Sequence, residues 1–239
     1  MGQIELNKVK KAVESGRVAN TYLLIGPPDS DVLGGGFELI KSILKSPLFE
    51  QEIPQQHASL EKLKTLTYPD IHYFYPVNTT GEVRTKANSS DFIVKWREVV
   101  ANNTKVTLND WCQKIGLGNK QASINKEEAE KISKLASLKS YEGSVKIFLI
   151  WMAEKMNINA SNKLLKLLEE PPQKTVFILI CENEKKLIQT ITSRCQKIYF
   201  GHQPLDNQEF NVDYELLFLE WVRAAFKVKG NKSAINELM

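Results

Sequence analysis

"NASNKLLKLLEEPPQKTVFILICENEKKLIQTITSRCQKIYF", residues 159–200, reads as helix, turn, strand, helix and strand in unbroken succession. Leu164, Leu165 and Leu168 give the first segment a buried stripe, and Glu169-Glu170 is its charged end. Pro171-Pro172 stops it, because proline lacks an N–H and its ring clashes with the preceding turn. Val176–Ile180 is a continuous run of β-formers, the pattern of a strand covered on both faces in a parallel sheet. The stretch ends in Ser193-Arg194-Cys195 and a last strand, Lys197–Phe200. A bare arginine at that turn needs a reason.

Working outward, similar apolar runs recur at Tyr22–Ile25, Ile71–Tyr75 and Val145–Trp151. Helical spacing falls between them, at Ile4–Ser15, Phe37–Leu44, Asp91–Ala101, Lys126–Leu138, Asn157–Leu168 and Glu184–Ile191. Strands alternating with helices predict a Rossmann-like α/β fold, a parallel αβα sandwich. Residues 46–68 are polar and 77–90 are rich in Thr, Ser, Asn and Gly, the composition of a mobile loop. Residues 202–212 read as a linker, and 213–239 as a helical tail with Leu217, Trp221, Ala224 and Ala225 on one face.

Composition narrows the function classes. The 239 residues are 42% hydrophobic and 25% charged, ordinary for a soluble globular chain. A net charge of +4 is too small by itself to argue for nucleic acid. No run reaches the roughly 18–20 apolar residues of a membrane helix, so a cytoplasmic protein without a membrane partner is expected. Cys112, Cys181 and Cys195 are far apart and odd in number, and His57, His72 and His202 are scattered, so neither a disulfide framework nor a structural metal is expected.

After the first strand, "GPPDSDVLGGGFELI" stands where a phosphate loop would follow. A working loop, GxxxxGK[ST], wraps phosphates in backbone N–H groups, neutralises them with lysine and holds magnesium with a hydroxyl. Counted from Gly26, the second glycine falls on Asp31, the lysine on Val32 and the hydroxyl on Leu33. Those residues offer no such contacts, and Asp29 and Asp31 repel a polyphosphate. Gly34-Gly35-Gly36 reads as a flexible turn, which leaves a structural relic and weak anion binding at the next helix as alternatives. After the third strand, where P-loop ATPases carry metal-organising acids, stand Trp151 and Met152. Glu154, two residues on, reads as a solvent-facing charge at a helix entry.

These segments, above all "NKLLKLLEEPP", "TVFILI", "KKLIQTITSRC" and "VKIFLIWMAEKMN", resemble the delta-prime subunits of bacterial DNA polymerase III clamp loaders, a branch of the AAA+ family. The resemblance spans roughly residues 2–200 and implies an AAA+ domain at 1–201. It implies that Arg194 is an arginine finger, reaching the γ-phosphate of ATP on a neighbouring subunit, with Ser193 and Cys195 positioning it. It further implies a non-catalytic subunit with no cofactor of its own. Its partners would be the loader's ATPase subunits and delta subunit and, through the complex, the sliding clamp and primed DNA.

Two rival readings stand beside it: an active motor subunit of the same complex, or a decayed paralogue serving only as an interaction module. Lys166 stays open between a solvent-facing charge and a phosphate contact. Cys181-Glu182-Asn183 replaces the polar residue that the family uses to sense the γ-phosphate; Asn183 could serve, but with no bound phosphate it has nothing to sense. The family's four-cysteine zinc module has no counterpart in 46–68, and 201–212 is too short for the helical lid, with 213–239 matching only the opening of a collar.

Overall fold

The computed structural model describes residues 2–50, 61–141 and 145–201, so the linker and tail expected at 202–239, with the Trp221 face, lie outside the described residues. The helices whose two ends are both described are α1 (Gly2–Glu14), α2 (Val32–Leu44), α3 (Pro47–Glu50), α4 (Ile93–Asn102), α5 (Leu108–Ile115), α6 (Lys126–Ser137), α7 (Ile158–Glu169) and α8 (Gln189–Thr192). The strands are β1 (Thr21–Ile25), β2 (Ile71–Phe74), β3 (Lys146–Trp151), β4 (Thr175–Cys181) and β5 (Gln196–Tyr199). They form one parallel sheet in the order β2-β3-β4-β1-β5. This is the expected Rossmann-like parallel αβα sandwich, with all five strands within a residue or two of where their composition placed them.

Alternation along the strands divides the core into two layers. Tyr22, Leu24, Leu149 and Ile178 face α1, α2, α4 and α5. Leu23, Ile25, Phe148 and Phe177 face α6, α7 and α8. On the first side, Trp96 stacks on Tyr75 with centroids 4.4 Å apart and meets Trp111 edge-on at 5.4 Å. The Trp111 indole N–H donates to Pro76 O at 2.8 Å, so this large ring is buried without an orphaned donor.

Caps explain the helix starts. Asn125 accepts from Glu128 N, and Asn157 from Ala160 N, each satisfying a donor of the first turn. Helix α5 escaped the sequence reading although Thr107 and Asp110 form a capping box around its first turn. At the other end of α6, buried Lys146 donates to the carbonyls of Leu135, Ala136 and Leu138, neutralising the negative helix end.

The loop expected at 77–90 is held by specific contacts. Val77 bridges Ser123, and buried Ser89 donates its N–H and hydroxyl to the Glu128 carboxylate at 2.9 and 2.7 Å. The Tyr75 hydroxyl donates to Ser89 O at 2.6 Å. The polar residues at the two ends of this loop have internal partners, whereas most of 81–86 faces solvent.

Candidate functional site

The residues singled out by sequence lie at opposite edges of the sheet. The loop after β1 sits at the carboxyl ends of the strands, where ligands bind in open α/β sheets. Arg194 precedes β5 and sits at the amino ends. In-register pairing of Tyr22–Ile25 with Gln196–Tyr199 puts three steps of strand, about 10 Å at a rise of about 3.3 Å per residue, between the two.

At the carboxyl edge, Pro28–Ser30 forms a single 3-10 turn, and Asp31 adopts a left-handed conformation with φ 54°. Its carboxylate accepts from Gly34 N at 3.2 Å and from the Thr104 hydroxyl at 2.5 Å. An N-terminal helix donor of the kind a phosphate would use is thus bound to a side chain of the same chain. Val32 and Leu33 are buried in the core.

The glycine run corrects the expectation of a flexible turn, because all three lie in the first two turns of α2, which begins at Val32 rather than Phe37. Close packing explains two of them. A Cβ on Gly34 would lie 2.4 Å from the Asp31 carboxylate, and one on Gly35 would lie 2.3 Å from the Phe200 ring. Phe200 N also donates to Ile25 O at 2.6 Å, clamping the end of β5 over the loop.

Where metal-organising acids would stand, Trp151 and Met152 are buried, and with Val32, Leu33 and Thr104 they leave a void of only about 10 Å³. That is about the space of one water. The residues present therefore do not fit a magnesium triphosphate. A larger cavity of about 480 Å³ beside the loop carries both Asp31 and Glu38 and Lys41 and Lys64 on a wall that also includes Phe37 and Tyr73.

Glu154 is not the solvent-facing charge expected. Its Oε1 accepts from Glu182 N at 3.0 Å and ties the ends of β3 and β4, while its Oε2 is enclosed without a partner. Burial raises its pKa. Asn183 caps the next 3-10 turn by accepting from Lys185 N at 2.9 Å, which commits its side-chain oxygen to local structure.

At the amino edge, α8 is a four-residue helix ending at Thr192, and Arg194 is exposed just beyond it. Its Nη1 donates to Thr190 O at 2.6 Å, and its Nη2 pairs with Glu169 Oε1 at 2.6 Å. Ser193 donates its hydroxyl to Thr190 O at 3.3 Å, and the Cys195 thiol donates to Ile191 O at 3.1 Å. Burial pushes the Cys195 thiol up to about 12, so it acts as an anchor rather than a nucleophile. Ala19, Thr21, Leu168, Glu169 and Gln196 border an open cleft of about 340 Å³ beside the guanidinium. The sequence reading treated Glu169 as a helix end and missed this pairing, because α7 and α8 are brought together only by the fold. Lys166 is exposed.

Comparison with known proteins gives a family match. Residues 2–204 match the family described as DNA polymerase III, delta subunit. The DNA polymerase III subunit delta′ of Bacillus subtilis is 41% identical over 83 residues, covering 35% of this chain and 25% of that protein. Its counterpart from Pseudomonas aeruginosa is 41% identical over 81 residues, covering 30% of this chain and 25% of that protein. The aligned stretches thus span about a quarter of these relatives. A DNA polymerase III gamma subunit-related protein from Thermotoga maritima overlays with a TM-score of 0.46 and 18% identity, over 84% of this chain and 47% of that one. Matched along most of its length and built on the expected sheet, the chain belongs to the DNA polymerase III delta subunit family.

Proposed function

We propose that this chain is a non-catalytic subunit of the clamp loader of the DNA polymerase III holoenzyme and lends Arg194 to the ATP site of a neighbouring subunit. The supporting observation is the placement of Arg194: it stands at the amino edge of the sheet, paired with Glu169, about a sheet's width from its own phosphate-loop position. From there it can serve only a site outside this chain. A planar, permanently charged fork suits that task, because it stabilises phosphoryl charge without belonging to the pocket that holds the base. Ser193 and Cys195 position it through their bonds to α8 carbonyls.

The chain's own loop is a degenerate one. Its anion position holds Asp31, and the lysine and hydroxyl positions hold buried Val32 and Leu33. This argues against the motor-subunit reading. The partners in this reading are the loader's ATPase subunits and delta subunit, with the sliding clamp and primed DNA reached through the assembly in the cytoplasm.

The test is a reconstituted loader carrying this chain as wild type or Arg194→Ala. Loss of a finger in trans lowers turnover at the neighbouring site by about 10³-fold or more. Clamp- and DNA-stimulated ATP turnover equal to wild type would remove the assignment.

A further inference from the structure

Arg194 is exposed and yet tethered twice, to Thr190 O on its own helix and to the Glu169 carboxylate at the end of α7. The second tether comes from a separate element and folds the side chain back along the rim bordered by Leu168 and Gln196. A guanidinium fork engaged with a carboxylate cannot give the same N–H group to a phosphate. We propose that Glu169 is a positioning residue, holding Arg194 retracted until the terminal phosphate of a neighbour's nucleotide displaces it. This rests on the finger reading above and adds a partner for the resting state.

The energetics suit an exchangeable contact. Both side chains are more than a third exposed, at 36% and 42%, so water and salt screen the pair and keep it weak. A terminal phosphate brings more charge and more acceptor oxygens than one carboxylate and wins the fork when it arrives. With no triphosphate next door, the arginine stays on Glu169 and adds nothing to the neighbouring site. The carboxylate then works against binding and not against the chemical step.

Two measurements separate this proposal from the reading beneath it. In the full chain, adduct formation at Arg194 by phenylglyoxal, read by peptide mass, compares wild type with Glu169→Gln. The variant reacts about two- to fivefold faster at low salt, the factor an exposed pair supports. Raising salt accelerates the wild type and leaves the variant unchanged. Equal rates and equal salt profiles overturn the retracted state. In the reconstituted loader, Glu169→Gln lowers the KM for ATP and preserves kcat, whereas an unchanged KM overturns the competition. If Arg194→Ala leaves turnover intact, the finger reading falls and the competition with it. If Arg194→Ala abolishes turnover while Glu169→Gln behaves as wild type in both assays, only the role of Glu169 is lost.

Discussion

Thr104 donates its hydroxyl to Asp31 across 73 residues of sequence, at 2.5 Å, while the same carboxylate oxygen caps α2 through Gly34 N. The pair closes the loop after β1 from the side, joining it to the chain just beyond α4. Replacing Asp31 by alanine removes a cap worth about 1 kcal/mol and puts a Cβ residue with no local hydrogen bond into a left-handed conformation, at about 1 kcal/mol more. Urea denaturation of Asp31→Ala should show a loss of about 2 kcal/mol, with Asp31→Asn losing less. Neither variant gains affinity for labelled ATP, since no lysine or hydroxyl is supplied.

Gly35 tests the same closure by sterics. A methyl group there meets the Phe200 ring at 2.3 Å, and Phe200 is itself fixed by its N–H to Ile25 O. Overpacking of this kind costs about 1–3 kcal/mol, offset by up to about 1 kcal/mol of helix propensity. Gly35→Ala should therefore unfold at lower urea than wild type. A variant at or above wild-type stability would show that the ring moves aside freely.

Glu128 supplies a pH prediction. It is fully buried on α6, and desolvation raises its pKa against the opposing pull of its bonds to Ser89. The folded state therefore keeps a proton that the unfolded chain has released. Stability from this group is fully present below the ordinary glutamate range and falls as pH rises through the raised folded value. Glu154 shifts the same way and adds to the slope. Denaturation of Glu128→Gln at a series of pH values should show a flatter decline than wild type, with the variant gaining relative stability as pH rises. Parallel curves would mean that the carboxylate titrates normally.

Trp111 anchors the ring cluster under α5. Truncation to alanine removes its contacts with Trp96 and Tyr75 and leaves Pro76 O without its donor. The expected loss is about 3–5 kcal/mol by chemical denaturation, with the far-ultraviolet helix signal retained below the transition.

Much of this molecule was legible in its sequence, for physical reasons that vary by residue. β3 and β4 announce themselves because both faces are covered, so nearly every residue is apolar. α7 is bounded by Asn157 and Pro171, which are local signals. The burial of Val32 and Leu33 at the start of α2 follows from their apolar side chains alone. What stayed hidden depends on partners distant in sequence. The Gly34–Gly36 run mimics a flexible turn until Phe200 and Asp31 are seen to press against it. Glu154 looks like a surface charge until Glu182 N is placed on it. Glu169 meets Arg194 only because the amino ends of β1 and β5 bring α7 and α8 together. The missed α5 is different, since Thr107 and Asp110 carry a readable start.

Cys181 and Cys195 have thiols raised by burial, Cys181 well beyond the ordinary range, and Cys112 is shifted the same way. A thiol held that far from ionisation reacts sluggishly with maleimides at neutral pH. One cysteine engineered onto an outward position such as Lys163 would thus accept a fluorophore ahead of Cys181 and Cys195. The emission of that label then reports on the surroundings of α7 in an otherwise unaltered background.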